Sequence, residues 1–177
     1  KSQRKGIVME HAAVLQQLID QIRHIVFFGG AGVSTESGIP DFRSVDGLYH
    51  QKYDYPPETM LSHDFFVRHP EEFFRFYRDK MLPLEAQPNE AHLKFTELEQ
   101  AGKLLAIITQ NIDGLHQKAG SRNVLELHGS VLRNACMGCG APYSVERLLD
   151  LRAANPDGVP RCPACGRIVK PAVVLYE

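Results

Sequence analysis

Four cysteines, arranged as two C-x-x-C pairs, constrain this 177-residue chain more than any other feature of its sequence. The pairs are Cys136/Cys139 and Cys162/Cys165, with 22 residues between them and a glycine after each pair. The short spacing lets two thiolates reach one ion, and the glycine permits the tight turn behind them. Four sulfurs fill a tetrahedron and leave no position for a reactive water. The pattern predicts a structural zinc site. Four structural or redox thiols without metal are the alternative.

The segment that carries these cysteines, residues 131–170, is too short to bury a hydrophobic core. A short helix is expected over residues 144–154, with Ser144 as its N-cap. Zinc binding contributes free energy on the order of 10 kcal/mol, which becomes folding free energy in such a segment. No cysteine is left over, and no apolar secretory signal follows the basic N-terminal residues. These features predict a reducing, cytoplasmic location and a metal site instead of disulfides.

The charge balance argues against two classes of partner. Twenty Lys and Arg residues oppose 21 Asp and Glu residues, for a formal net charge of −1. No basic stripe that could follow a phosphate backbone is therefore indicated. The apolar runs, such as residues 25–28, 104–108 and 172–176, are much shorter than the roughly 20 residues of a membrane span. We predict neither nucleic-acid nor membrane binding.

Short apolar runs that alternate with helical patterns predict a parallel α/β sheet. The runs at residues 25–28, 104–109 and 124–127 are typical of buried strands. An amphipathic helix is expected over residues 9–23, and a second begins after its N-cap Asn89 and stops at Gly102. Further expected elements are a loop at 33–55, two aromatic-rich helices at 63–68 and 70–81 with a small core of their own, and a return strand at 172–176.

A Gly-rich turn follows the first predicted strand. Gly30, Ala31 and Gly32 occupy the place where an α/β fold binds a dinucleotide pyrophosphate, because glycine lets a ligand approach the backbone closely. Thr35 replaces the third glycine of the usual dinucleotide fingerprint, which disfavours an ordinary nicotinamide dehydrogenase. On this turn alone, a strand-to-loop connection without a ligand is an equal alternative.

Three segments together resemble the sirtuins, the NAD-dependent protein deacylases. They are STESGIPDFRS at residues 34–44, TQNIDGLH at 109–116 and LHG at 127–129, and the four-cysteine segment lies where that family carries its structural zinc. The resemblance extends from about residue 26 to residue 177. It implies a Rossmann-like parallel sheet with a small zinc-ribbon and helical domain inserted into it.

The resemblance also implies a division into domains. Residues 1–130 and 171–177 would form the Rossmann-like NAD-binding domain, with its C-terminal part missing. Residues 45–85 would be a helical insert of the small domain, and residues 131–170 its zinc ribbon. Half of a doubly wound sheet would leave an open strand edge and exposed apolar surface.

Cofactor-binding residues follow from the same motifs. The resemblance implies that NAD sits at the carboxyl ends of the strands, between the sheet and the zinc-bearing domain. The residues that would bind it are Gly30, Ala31, Gly32, Thr35, Phe42, Arg43, Gln110, Asn111, Ile112, Asp113 and His128. Amide and carboxylate side chains are suitable partners for a carboxamide and for ribose hydroxyls. Without the motif, Asp113 would more simply cap a helix over residues 114–119.

His128 is the expected catalytic base. It follows a buried strand at its carboxyl end, where ligands bind in parallel sheets, and imidazole can take up a proton at neutral pH. Asn111 and Asp113 are candidates for stabilising the positive charge that develops on the ribose. His116 is the nearest rival and is interpreted as structural support. Val174 and Tyr176 lie on the expected substrate-binding strand.

The function that the resemblance implies is NAD-dependent deacylation of lysine in proteins or peptides. Nicotinamide, O-acyl-ADP-ribose and free lysine would be the products. Relatives that prefer acidic acyl groups carry a Tyr-x-x-Arg pair, and the nearest matching positions here are Phe74 and Tyr77. Arg75 and Arg78 are one step out of register, so an uncharged acyl chain is favoured. An NAD-dependent protein ADP-ribosyltransferase is the nearest alternative. A zinc-ribbon interaction module would explain the cysteines but not His128 or residues 30–44, and an inactive fragment is the remaining alternative.

Overall fold

Two sheets of different kind build the structure, which is a computed structural model that describes residues 2–41 and 54–177. Phe42 and Arg43, two of the predicted NAD-binding residues, lie outside the described residues. A three-stranded parallel sheet and a three-stranded antiparallel sheet follow one another along the chain. The mixed α/β class and the parallel sheet are confirmed.

The parallel sheet consists of β1 (Ile25–Gly29), β2 (Leu104–Thr109) and β3 (Val124–Glu126), in the order β1-β2-β3. The three predicted strands match these bounds to within one residue at each end. Gly29 pairs with Thr109, and Thr109 pairs with Glu126, so the carboxyl ends of the strands are level. The residues that follow each strand therefore meet at one edge of the sheet.

One face of the parallel sheet packs on helix α5 (Glu90–Gln100). Asn89 caps this helix, as predicted, and Gly102 follows its end with a φ of +70°, a backbone conformation that favours glycine. Ile107 is fully buried, and the Phe27 ring lies 4.0 Å from the Phe95 ring of α5. This packing positions α5 directly behind the carboxyl edge of the sheet.

The opposite face of the parallel sheet is exposed. Alternating apolar side chains on this face reach 61% exposure at Phe28, and the others are Val26, Leu105, Leu125 and Leu127. A parallel sheet normally has both faces covered. Among the described residues, no element covers this face, in agreement with the apolar surface expected for half of a doubly wound sheet.

Helix α1 (Ser2–Gln21) is longer than predicted, and its apolar stripe is not buried. The sequence places Leu15, Leu18 and Ile22 at helical spacing, but all three are exposed. The spacing therefore predicts the helix correctly but predicts its burial wrongly. An apolar stripe does not indicate which other element covers it. No helix in the described part of the chain combines the length and apolarity needed to cross a bilayer.

The antiparallel sheet belongs to the cysteine-bearing segment. It is formed by β4 (Gly129–Cys136), β5 (Pro142–Tyr143) and β6 (Val169–Val173), in the order β5-β4-β6. Helix α7 (Val145–Ala153) begins at Ser144, whose side chain accepts a hydrogen bond from the Arg147 backbone N–H. The predicted N-cap of this helix is therefore confirmed.

The predicted return strand at 172–176 is wrong in its bounds. β6 begins three residues earlier, ends at Val173, and pairs with β4 instead of with the parallel sheet. Residues 172–176 are apolar throughout, whereas β6 contains Lys170 and Pro171, so the apolar run marked neither the start nor the end of this strand. Residues 171–173 consequently lie in the antiparallel sheet and not in the Rossmann-like one.

Helices from the middle of the chain pack on the antiparallel sheet. They are α2 (Pro57–Met60), α3 (His63–Arg68) and α4 (Pro70–Phe76), and α4 continues into a π-helical turn at Tyr77–Met81. The rings of Phe66, Phe73 and Phe74 make edge-to-face contacts with centroids 4.9–6.1 Å apart. The expected separate aromatic core is therefore part of a larger one, shared with Val131 of β4 and Leu148 of α7.

Truncation of Phe73 tests this shared core. Phe73→Ala is expected to lower the free energy of unfolding by about 3–5 kcal/mol, because the ring is fully buried and leaves a cavity. Val67→Ala on the neighbouring helix is the control, since Val67 is 58% exposed and should change stability by less than about 0.5 kcal/mol. Chemical denaturation of both variants measures the difference. Equal stabilities would contradict a core built on these rings.

Candidate functional site

A cavity of about 650 Å³ lies at the carboxyl edge of the parallel sheet, against the small antiparallel sheet. This volume is within the usual range for small-molecule sites, roughly 300–1,000 Å³. The sequence-predicted residues that line it are Ala31, Gln110, Asn111, Ile112, Asp113, His128, Val174 and Tyr176. Residues after all three parallel strands thus face a single cavity.

The turn after β1 continues directly into a 3₁₀ helix (Ala31–Ser37) where the sequence predicted a loop. Gly30 precedes this helix, and a Cβ on it would lie 3.1 Å from the Gln110 side-chain oxygen, so glycine allows the two strand ends to meet closely. A Cβ on Gly32 would meet no atom within 4 Å, which leaves open space beside the turn. Gly32 and Thr35 are in the turn but not in the cavity wall, and the Thr35 hydroxyl donates to the Gly32 carbonyl over 3.0 Å.

A buried hydroxyl joins this turn to the end of β2. The Ser34 Oγ donates to Asp113 Oδ2 over 2.7 Å and accepts from Asn111 Nδ2 over 3.0 Å. Ser34 is 1% exposed, and Asn111 is also buried. In the sequence, Ser34 belongs to the motif at residues 34–44, but no role was predicted for it. Its burial inside a polar turn was not visible in the sequence.

Asp113 combines the two roles that the sequence left open. Its Oδ1 accepts a hydrogen bond from the Leu115 backbone N–H over 2.9 Å, at the start of helix α6 (Leu115–Ala119), while Oδ2 accepts from Ser34. Gly114 itself occupies the N-cap position, with a φ of +73°. The carboxylate therefore supports the start of a helix and also lines the cavity.

The hydrogen bond of His128 defines which ring nitrogen can act as a base. His128 Nδ1 lies 3.0 Å from the Gln110 carbonyl oxygen, and a carbonyl oxygen only accepts. The proton of the neutral ring therefore resides on Nδ1, which leaves the lone pair on Nε2. His128 is exposed and lines the cavity. An unprotonated nitrogen at the wall of a cavity is suitable for removing a proton from a ligand.

Glycine after His128 is required by a close backbone contact. Gly129 has a φ of +76°, and a Cβ there would lie 1.9 Å from the Ala172 carbonyl oxygen. The chain thus passes from the parallel sheet into the antiparallel sheet at a point where β4 and β6 touch. His128 also accepts, through its carbonyl, a hydrogen bond from the Val174 backbone N–H over 3.0 Å.

Two buried imidazoles lie behind Asp113 and outside the cavity wall. The His92 and His116 rings are 4.8 Å apart, and both residues are almost fully buried. Burial lowers the pKa of His116 to about 4, with His92 adding a smaller effect in the same direction. Burial also lowers the pKa of His92. His116 packs near Phe27 and Phe95, so its position fits structural support.

The wall opposite the strand ends comes from the segment after β6. Val174 and Tyr176 are exposed, and the Tyr176 backbone pairs with Leu61 and His63. The cavity wall also contains two charged side chains, Asp41 and Lys80. Apolar lining residues for which no role was predicted include Ile39, Pro40, Leu61, Met81 and Pro83. These are apolar residues of loops and helix ends, and nothing in their spacing distinguishes them from core residues.

The four cysteines come together in the small sheet. Their sulfur atoms all lie within 4.8 Å of one another, with 3.3 Å between Cys136 and Cys165 and 3.7 Å between Cys139 and Cys162. Zn–S bonds of about 2.3 Å in a tetrahedron give sulfur separations of roughly 3.8 Å. Backbone N–H groups of Cys139 and Gly138 point at the Cys136 sulfur and lower the pKa of this thiol, which favours the thiolate that binds a metal. The donor set fits zinc.

The fold and the motifs match one protein family. The model of the Sir2 family matches residues 30–177. The NAD-dependent protein deacetylase of Clostridium acetobutylicum is 54% identical over 173 residues, which cover 97% of this chain and 69% of that protein. The NAD-dependent protein deacetylase of Clostridium tetani is 58% identical over 165 residues, or 92% of this chain and 65% of that protein.

Solved structures show the same likeness. A Sir2 structure with a deacetylated p53 peptide and 3′-O-acetyl-ADP-ribose is 41% identical, with a TM-score of 0.84 over 93% of this chain and 65% of that one. A Sir2 structure with p53 peptide and NAD⁺ is 42% identical, with a TM-score of 0.79 over 92% of this chain and 63% of that one. The chain thus spans about two thirds of the length of the proteins that it matches.

Removal of the metal is expected to unfold the small sheet. Chelation, or Cys136→Ala, removes a contribution on the order of 10 kcal/mol from the segment that carries the ligands. Hydrogen exchange should then show loss of amide protection in β5, α7 and β6, with β1 and β2 still protected. Met137→Ala is the matched control, because this exposed residue lies between two ligands. Unchanged protection in the metal-free protein would contradict a structural role for the metal.

The buried imidazoles make stability depend on pH. The His116 pKa of about 4 lies below the ordinary value of 6.5, so between these values the unfolded chain binds a proton that the folded chain does not. The stability that the neutral ring contributes is complete above pH 6.5 and is lost as the pH falls towards 4, by about 2–3 kcal/mol. Denaturation of wild type and His116→Phe at pH 6.5 and pH 4 measures this loss. The variant should lose less stability, and parallel curves would contradict the expectation.

Proposed function

The chain belongs to the Sir2 family, and from this premise we propose that it acts as an NAD-dependent protein lysine deacetylase. In the proposed reaction an acyl-lysine and NAD are converted into nicotinamide, O-acyl-ADP-ribose and free lysine. One observation carries the proposal. The ends of the three parallel strands face one cavity, whose opposite wall is the segment that follows β6.

His128 is proposed as the general base. Bound NAD supplies the ribose that accepts the acyl group, and nicotinamide is its leaving group. The Gln110 carbonyl holds the proton on His128 Nδ1, so Nε2 is free to remove a proton from a ribose hydroxyl, directly or by relay. If the tautomer were not fixed, Nε2 would carry the proton in a fraction of the molecules, and in those molecules it could not act as a base. The contact with Gln110 removes this ambiguity.

Asn111 and Asp113 are proposed to favour positive charge at the reacting ribose carbon. Their hydrogen bonds to Ser34 fix both side chains, so little reorganisation is needed when charge develops. Six further residues are proposed to complete the NAD site: Gly30, Ala31, Gly32, Thr35, Gln110 and Ile112. For Phe42 and Arg43, NAD binding stays a prediction from the sequence. The open space beside Gly32 supports close approach of a ligand to the turn.

An uncharged acyl group is the proposed substrate. The Tyr77 hydroxyl donates to the Val131 carbonyl over 3.0 Å inside the core and so does not face a substrate. Arg78 pairs with Asp79, and Arg75 pairs with Asp54 over 3.6 Å, on the exposed surface. These residues are therefore engaged away from the cavity. The apolar walls at Leu61 and Ile112 suit an acetyl group.

The peptide is proposed to bind along Val174 and Tyr176, which form an exposed wall of the cavity. Zinc at Cys136, Cys139, Cys162 and Cys165 is proposed to stabilise the small sheet that supports this wall. A cytoplasmic location is proposed from the same cysteines, since thiolate ligands persist in a reducing compartment.

Substitution of His128 tests the proposed reaction. His128→Ala should keep NAD binding, measured by calorimetry, but reduce deacetylation of an acetyl-lysine peptide by at least about 100-fold, the usual range for a general base. His11→Ala, at an exposed position on α1, is the control. Mass spectrometry measures O-acetyl-ADP-ribose. Turnover of His128→Ala near the wild-type rate would refute the assignment.

The same assay separates the alternatives. A peptide heavier by one ADP-ribose would identify an ADP-ribosyltransferase, and NADH would identify a dehydrogenase. An unchanged peptide with unchanged NAD would point to an interaction module or an inactive chain. Each of these results contradicts the proposed deacetylase.

A further inference from the structure

The side chain of Asn89 joins helix α5 to the turn that follows β1. On one side, Oδ1 accepts hydrogen bonds from the backbone N–H groups of Ala91 and His92 over 3.0 and 3.4 Å, which caps the helix. On the other side, Nδ2 donates to the Val33 carbonyl over 2.8 Å and to the Ser37 hydroxyl over 3.0 Å. The two elements are more than 50 residues apart in sequence, so this is a tertiary contact.

These four hydrogen bonds use the full capacity of the amide group. A primary amide offers two N–H donors and two oxygen lone pairs, and each of them has a partner here. Aspartate would cap α5 equally well but offers no donor to the Val33 carbonyl. Serine would also cap the helix, but its side chain is one bond shorter and carries a single donor. The site therefore makes use of both halves of an asparagine.

The contact holds the turn on the side away from β2. Ser34, at the centre of the 3₁₀ helix, is bonded to Asp113 and Asn111 on the sheet side. Val33 and Ser37, which flank it, are bonded to Asn89 on the side of α5. The turn is thus hydrogen-bonded on two sides. It contains Ala31 and Ser34, which face the cavity.

We propose that Asn89 is a positioning residue for the NAD-binding turn, acting through its amide N–H groups. This inference rests on the proposed function. Asn89 itself does not line the cavity. It sets the orientation of the 3₁₀ helix relative to the sheet, so that the backbone around Ala31 is arranged before the cofactor binds. Without this contact, the turn would have to be ordered each time NAD binds, and the free-energy cost of that ordering would weaken NAD binding selectively.

Asn89→Asp tests this role, because it keeps the helix cap and removes the donors. We expect the Kd for NAD and the KM for NAD to rise about tenfold, which corresponds to the loss of one or two hydrogen bonds. The Kd for an acetyl-lysine peptide and kcat at saturating NAD should stay within about twofold. Ser37→Ala removes one acceptor and leaves the cap intact, so the Kd for NAD should rise by a smaller factor.

Asn123→Asp is the matched control. The Asn123 amide donates to the Leu105 carbonyl, so this variant also loses an amide-to-carbonyl hydrogen bond. Asn123 lies just before β3, at the end of the sheet that is opposite the cavity. We expect its NAD affinity to equal that of the wild type. A change as large as that in Asn89→Asp would overturn the inference.

The remaining outcomes separate this inference from the proposed function. If wild type binds NAD and Asn89→Asp binds it equally well, only the inference fails. If peptide affinity and NAD affinity fall together, or thermal unfolding moves by more than about 5 °C, the role is general support of the fold and the inference also fails. If wild type does not bind NAD, the proposed function fails first and the inference with it.

Discussion

The buried Ser34 hydroxyl is the interaction on which the candidate site depends. It links the turn after β1 to the two polar residues after β2, and it is shared between Asn111 and Asp113. A buried hydroxyl without partners would cost about 1–3 kcal/mol, so the three side chains determine one another's positions. Because the parallel strands end at the same level, this small network places the β1 turn and the β2 end at one cavity. The contact between His128 Nδ1 and the Gln110 carbonyl holds the imidazole at the same cavity.

The second sheet is placed by an equally local constraint. Gly129 follows His128 directly, and the backbone of β6 approaches it so closely that no side chain would fit. The imidazole therefore lies at the junction between the two sheets. The Val174 backbone is bonded to the His128 carbonyl at the same junction, so the proposed base and the proposed substrate wall are connected through the main chain. The metal site contributes indirectly, because the cysteines hold together the sheet that contains β4 and β6.

Local chemistry explains which features could be predicted from sequence. The strands at 104–109 and 124–127, the caps Asn89 and Ser144 and the cysteine site depend on short-range patterns, and the structure contains them as expected. Ser34 could not be selected, since its partners are 77 and 79 residues away. The predicted bounds of β6 and the predicted burial of the apolar stripe on α1 were wrong for a related reason. Apolar residues show that a surface can be buried, but the partner that buries it is set by tertiary structure.

The two imidazoles behind Asp113 bear on the electrostatics of the proposed reaction. Burial lowers the pKa of both His92 and His116, so both rings are neutral near pH 7. The Asp113 carboxylate is therefore stabilised by neutral donors, the Ser34 hydroxyl and the Leu115 N–H, and not by a cation behind it. A cationic partner would cancel much of its field in the cavity, whereas neutral donors leave most of it. A carboxylate held in this way can favour positive charge at a bound ribose, and protonation of the buried imidazoles at low pH would weaken this effect.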